Sequence, residues 1–430
     1  MNDFMIILIV TFLFAMTFGA LLQKYFKLPW MFSIILFGLV STTMGWFPNV
    51  KQDPIFSGFS NLGQLCLLFT IGLSIDFKEF KKLAKDIFVG NYLTCFAEGF
   101  GLSLLFYFFI PNEFSNSYLI CLLTGIGFAT IGEVILIAIL TELKIEKTRF
   151  GQLTIGMGVA DDILEIIVLT FVSTLPFFYG ANGVPITNDP TQIAFKWGTL
   201  VLSLFIIGLL TFISVKIGKK SKEFLAKVGK EIPFVTGFLY LTIFLSLIVV
   251  GGIFIKEVEV IGAIFAGIIC QLLFPEKMME KLEGNFRFLM MFIGPFFFFM
   301  VGYKISLSAI IGNLIRLFGI ILTSMIFRVG STMIVFKKHF KSPKYSAIFG
   351  FGLCTKFSTS IVILNFLLDN MYITPMIFSV IMTAFLTEKI ITVLVYSLGL
   401  GAIAKEFQLE GNVCNIDDCL RPESKELKKI

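Results

Sequence analysis

The sequence predicts an all-α polytopic membrane protein with thirteen transmembrane helices. Three observations carry that prediction. Of the 430 residues, 57% are hydrophobic, only 15% are charged and 53 are Phe; mean hydropathy is +0.91, and soluble domains are only roughly 45–50% apolar. Runs of about 20 apolar residues, the length that crosses a bilayer core, recur thirteen times along the chain. Basic residues gather in alternate connections between these runs, as the positive-inside rule requires of a chain that crosses repeatedly.

In chain order, spans 1 to 3 lie near residues 4 to 22, 28 to 47 and 55 to 75, and their interiors are apolar. The first lacks a basic leading region and a small-residue cleavage site, and its apolar run is too long for a signal peptide, so it reads as a retained helix. Spans 4 to 6, near 87 to 110, 117 to 140 and 150 to 176, carry Glu98, Glu133, and then Asp161, Asp162 and Glu165. Span 7, near 194 to 215, precedes a lysine-rich connection. Spans 8 to 10, near 234 to 255, 258 to 275 and 286 to 303, are again apolar; in the last, "FIGPFFFFMVGY" reads as packing and lipid contact with Pro295 as a kink. Spans 11 to 13, near 308 to 336, 345 to 368 and 372 to 403, carry Arg316 and Arg328, then Lys356, then Glu388 and Lys389.

The connections after odd-numbered spans hold most of the Lys and Arg, including Lys78, Lys81, Lys82 and Lys85, and the run from Lys216 to Lys230. Those after even-numbered spans hold little beyond Lys51, Lys196, Lys256 and Lys304. The N-terminus is therefore expected outside and the C-terminus in the cytoplasm. The net charge of +6 is mostly a topology signal, and no soluble basic domain suggests a nucleic-acid partner. The tail "KEFQLEGNVCNIDDCLRPESKELKKI" is too short for a core of its own.

An enzyme is not expected. The single histidine, His339, falls in a connection, and no phosphate-cradling loop, metal-ligand cluster or nucleophile elbow is present. Five of the seven cysteines lie inside spans, so no disulfide framework emerges. Function is instead expected where charge meets the membrane. A charged group at bilayer depth costs on the order of 2.5–3.5 kcal/mol even on the lenient insertion scale. All such groups fall in spans 4 to 6 and 11 to 13, which divides an ion-handling bundle from an apolar scaffold.

An internal repeat sharpens the division. "GIGFATIGEVILI" from Gly125 in span 5 matches "GFGLCTKFSTSIVI" from Gly350 in span 12. Gly125 aligns with Gly350, Gly127 with Gly352 and Thr130 with Thr355, and the two spans run in opposite directions. Glycine-interrupted segments in inverted halves point to a midplane site with unwound backbone. The same small residues also serve close helix packing.

The stretch "TELKIEKTRFGQLTIGMGVADDILEIIVL", from Thr141, resembles the hallmark of the monovalent cation:proton antiporter 2 family, the NapA-like and Kef-like sodium or potassium/proton exchangers. The resemblance covers nearly the whole chain. It implies an inverted-repeat antiporter fold with two crossed broken helices, spans 5 and 12. It further implies a dimerisation or scaffold domain over 1–86 and 232–304, a core ion-transport domain over 87–176 and 305–404, a linking helix over 194–217 and a cytoplasmic tail over 405–430. The expected protein is a homodimer in the lipid of the cell (inner) membrane, exchanging Na+ or K+ for protons by alternating access, with no cofactor beyond the transported ions.

Carried onto this sequence, the resemblance makes Asp162 the main cation- or proton-binding residue and Asp161 its assistant, paired with a membrane-embedded base. Thr130, Thr355 and unwound carbonyls would add the oxygen ligands that hard cations prefer. Glu165, at i+3 from Asp162 and i+4 from Asp161, shares their arc and could relay protons or be paired structurally. The base is open. Either Arg328 pairs with Asp161, or Lys356 pairs with Asp161 while Arg328 pairs with Glu98; the second leaves fewer buried charges alone. Span 12 departs from the family pattern, reading Lys356-Phe357-Ser358 without the acid of an Arg-Gly-Glu-like run. Glu133, Arg316, Glu388 and Lys389 read as structural. A sodium-coupled symporter of small organic anions, a channel and a non-transporting membrane sensor are the alternatives.

Overall fold

The structure, a computed structural model, describes residues 2–26, 30–74, 85–131, 149–178, 190–231, 233–254, 259–338, 340, 343–356 and 358–409. Among them every regular element is helical. The first half comprises α1 (Asn2–Phe14), α2 (Ala20–Phe26), α3 (Met31–Thr43), α4 (Pro54–Ser74), α5 (Lys85–Phe109), α6 (Tyr118–Phe128) and α7 (Arg149–Phe178). Then follow α8 (Pro190–Glu231), α9 (Pro233–Phe254), α10 (Glu259–Leu273), α11 (Glu276–Tyr303), α12 (Leu307–Ile311), α13 (Leu314–Val335), α14 (Pro343–Gly352), α15 (Ser358–Asp369) and α16 (Pro375–Leu409). Five stretches among the described residues are long and apolar enough to cross a membrane: Met5–Leu22, Ile87–Phe109, Gly284–Tyr303, Leu314–Val335 and Pro375–Thr392.

One boundary departs from the sequence reading. Span 7 was expected to give way to a lysine-rich connection, but α8 continues for 42 residues through that basic run. Lys, Ala, Leu and Glu all favour helix, and no proline interrupts the helix between its first residue and Pro233, so it projects beyond the roughly 20 residues that a bilayer needs.

Two groups of helices pack internally. In the first, α4 lies against α10 and α11, and α11 also lies against α3. Phe69 meets Phe286 at 4.3 Å between ring centres, and Phe56 meets Phe296 at 5.2 Å. In the second, α5 lies against α6 and α13, and α13 against α14 and α16. The close approach of α5 and α6 depends on glycine: a Cβ on Gly125 would stand 2.3 Å from the Gly99 carbonyl oxygen. Gly125→Val is therefore expected to destabilise the protein by at least about 1–3 kcal/mol, seen as a lower melting temperature in detergent. An unchanged melt would mean that the two backbones are not in contact.

The helical breaks position the site. Helix α6 stops at Phe128, and residues 129–131 are irregular; Glu133 and the rest of span 5 lie outside the described residues. Helix α14 stops at Gly352, residues 353–356 are irregular, and α15 starts at Ser358. The repeat positions behave alike: the Thr130 hydroxyl donates to the Gly127 carbonyl, and the Thr355 hydroxyl to the Gly352 carbonyl, both at 3.2 Å. Each threonine thus turns back on the last turn of the helix before it, where carbonyls have lost their helical partners. Toward one end of the bundle, Arg316 pairs with Glu113 at 3.3 Å and is 37% exposed, so it is a helix-end residue and not a deeply buried charge.

Candidate functional site

The site grows from one face of α5. Asn91, Cys95 and Glu98 follow at spacings of four and three, the helical repeat that stacks side chains on one face, and all three are fully buried. Opposite them, Asp161 projects from α7, also fully buried. Its Oδ1 accepts from Asn91 Nδ2 and from Cys95 Sγ, each at 3.0 Å, and its Oδ2 accepts from the backbone N–H of Ile131 at 2.5 Å. Ile131 belongs to the irregular segment after α6. A donor freed by the break is thus satisfied by the carboxylate, as a buried backbone group must be.

The same break frees the carbonyl of Ala129, and Arg328 Nη2 donates to it. Arg328 lies on α13 and is fully buried. Its Nε donates to Glu98 Oε2 at 2.5 Å, and its Nη1 donates to Cys95 Sγ at 3.3 Å and to Thr94 Oγ1 at 3.4 Å. Cys95 therefore stands between Arg328 and Asp161, touching both. Lys356, in the second break at the position that aligns with Ile131, is fully buried and places Nζ 2.8 Å from Glu98 Oε1. Glu98 holds both bases.

Of the two pairings left open, the structure has the Arg328–Glu98 contact of the second but no base on Asp161, and the exception is Lys356. Its ammonium lies on Glu98 and not on Asp161, and among the described residues no cation lies within ion-pair distance of Asp161. The reason is geometric: Glu98 faces both α13 and the second break, so one carboxylate spans two cations, while Asp161 is enclosed by neutral donors. Breaking such a buried cluster by removing one member is costly.

The other expected site residues lie as follows. Thr130 Oγ1 lies 2.6 Å from Ser360 Oγ, joining the first break to the start of α15. Thr355 is fully buried in the second break, and Glu165 is buried on α7 one turn beyond Asp161. Asp162 follows Asp161 in α7; its side chain lies outside the described residues. Glu388 and Lys389 of α16 are fully buried. Ser324 Oγ bridges Glu388 Oε1 (2.5 Å) and Glu98 Oε1 (2.6 Å), and Lys389 Nζ donates to the Lys356 carbonyl at 3.3 Å. Sequence reasoning missed Asn91, Cys95 and Ser324. The first two could have been found as a polar stripe leading to Glu98 on α5, and Ser324 as the residue one turn before Arg328 on α13.

Comparison with known proteins places the chain. The family model described as "Sodium/hydrogen exchanger, transmembrane" matches residues 9–405. The chain is 24% identical over 393 residues to a Na+/H+ antiporter of Enterococcus hirae, a match covering 88% of this chain and 95% of that one. It is 27% identical over 316 residues to a putative Na+/H+ antiporter of Bacillus subtilis, with 70% of this chain matched to only 47% of the relative's length. Its fold resembles the solved structure of the sodium proton antiporter MjNhaP1 from Methanocaldococcus jannaschii, with a TM-score of 0.60 and 15% identity over 94% of this chain and 99% of that one. Together with its apolar helices, these likenesses make the chain a multi-pass membrane protein of the sodium/hydrogen exchanger family.

Proposed function

We propose that the chain is a secondary-active antiporter that exchanges Na+ or K+ for protons across the cell membrane, with Asp161 and Asp162 as the cation/proton site. One observation carries the reading: the Asp161 carboxylate is fully buried on neutral donors, while the two nearby bases are engaged by Glu98. A buried carboxylate without a cation partner is costly unless something positive joins it. A proton and a monovalent cation are the two species that can do so in turn, and competition for the same oxygens couples their fluxes.

In this reading Asp162 is the principal ligand and Asp161 holds the site to the broken helix through Ile131. Thr130, Thr355 and break carbonyls supply further oxygens, and Glu165 offers a proton step one turn along α7. Helices α5 to α7 and α12 to α16 form the core that moves in alternating access. Helices α1 to α4 and α9 to α11 form the scaffold and homodimer contact, and α8 links the two; the N-terminus lies outside. Arg328, Lys356 and Glu98 keep the core electrically balanced around the breaks.

The test uses purified protein in liposomes with an internal pH dye, adding Na+, K+ or Li+ outside to wild type and to Asp162→Asn. Cation-driven alkalinisation of the lumen that vanishes in the variant is the expected result, and the order of the cations names the substrate. No pH response to any cation, or one unchanged in the variant, overturns the reading in favour of a sodium-coupled symporter, a channel or a sensor.

A further inference from the structure

Ser324 has one hydroxyl proton and two short contacts. Its Oγ lies 2.6 Å from Glu98 Oε1 and 2.5 Å from Glu388 Oε1, both in the range of charge-assisted O–H···O bonds. If both carboxyls were ionised, one proton would serve three oxygens, and one of the two contacts would be a bare approach of oxygen lone pairs. The cluster therefore needs a second proton, and the surroundings say where it sits. Glu98 already receives N–H donors from Arg328 at 2.5 Å and from Lys356 at 2.8 Å. Glu388 receives none: its Oε2 is buried without a hydrogen-bond partner, and among the described residues no cation lies within ion-pair distance of it. An unpartnered oxygen is tolerable on a neutral acid and very costly on a carboxylate.

We propose that Glu388 is a second proton-holding carboxyl, carrying its proton on Oε1, donating it to Ser324 Oγ and sharing it with Glu98 through that hydroxyl. The transfer balances: the Ser324 O–H proton passes to Glu98 Oε1 as the Glu388 proton passes to Ser324 Oγ, so one O–H bond forms at Glu98 and one breaks at Glu388. The charged and titratable groups around Glu388 are Glu98 from α5, Arg328 from α13, and Lys356 with Cys354 from the second break. Lys389, its neighbour in α16, is directed elsewhere, with Nζ 4.3 Å from the centre of the Phe32 ring and bonded to the Lys356 carbonyl. One turn on from Glu388, Thr392 Oγ1 is likewise buried without a partner, so α16 carries two unmet polar atoms in succession. Whenever Arg328 or Lys356 draws back from Glu98, the stored proton can replace that charge without drawing on solvent. That use in transport rests on the exchange reading; the presence of the proton does not.

The test is the C=O stretching band of protonated carboxyl in infrared spectra of the full-length protein in lipid at neutral pH. Wild type is expected to show such a band with a component from Glu388, Asp161→Asn to retain that component, Ser324→Ala to shift it through loss of its hydrogen bond, and Glu388→Gln to lose it. No band in wild type, or a band of full intensity in Glu388→Gln, overturns the proposal. Should Glu388→Gln not fold, the band's failure to move in Ser324→Ala overturns it equally. None of these outcomes depends on ion exchange, so a failed liposome assay leaves the band prediction standing.

Discussion

Glu98→Ala is expected to cost about 3–5 kcal/mol of stability, the usual penalty for leaving buried charge without its partner. The removed carboxylate is the shared acceptor of Arg328 Nε, Lys356 Nζ and Ser324 Oγ, and all three are fully buried. Thermal unfolding in detergent measures the loss, with a fall in melting temperature and in monodisperse yield. The triple replacement Glu98→Met, Arg328→Met and Lys356→Met is expected to regain part of it, because a buried ionic cluster exchanged whole for apolar volume is often neutral or stabilising. Recovery stays incomplete because the Ala129 carbonyl loses Arg328. A single alanine variant as stable as wild type would show that Glu98 does not hold the two bases.

The second large effect is expected at Asp161, where charge and hydrogen bonding can be separated. Asp161→Ala leaves the Ile131 N–H buried without an acceptor, at a cost of about 1–3 kcal/mol, and abolishes cation-driven proton exchange. Asp161→Asn also abolishes exchange but keeps most of the stability. Its amide oxygen can still accept from Ile131, and Asn91 can turn its own amide over to accept from the new NH2 group. The comparison is read from melting temperature and liposome flux on the same preparations. Equal stability of the two variants would mean that the Ile131 contact contributes nothing, and full exchange in the asparagine variant would remove Asp161 from the ion site.

Much of this was legible in the sequence because the bilayer makes certain residues expensive. Asp161, Glu98, Arg328 and Lys356 stood out as charges inside apolar runs, and Gly125 with Gly350 marked where helices stop, at Phe128 and Gly352. The partners were not legible. Periodicity gives the face of one helix but not the rotation of its neighbour, so nothing in the chain said that Glu98 would collect both bases and leave Asp161 to neutral donors. Asn91, Cys95 and Ser324 escaped notice for a related reason: small neutral polar groups are cheap enough in a helix to carry little signal. Glu388 was read as structural because its role depends on a serine 64 positions away.

The joint between the two breaks has a mechanical consequence. Thr130 reaches Ser360 at 2.6 Å and Gly127 lies against the Ile363 side chain, both partners on α15. The irregular backbone of the first break is thereby fastened to the second half-helix of the other. Peptide groups released from helical bonding can be carried through hydrocarbon only inside such a shelter. Were the two interruptions to slide past each other during a transport cycle, each would present bare amides to lipid at midstroke. In the proposed exchange cycle they would travel as one polar inclusion inside a single body, with slippage confined to the fully helical surfaces around it, where side chains can slide without exposing a peptide bond.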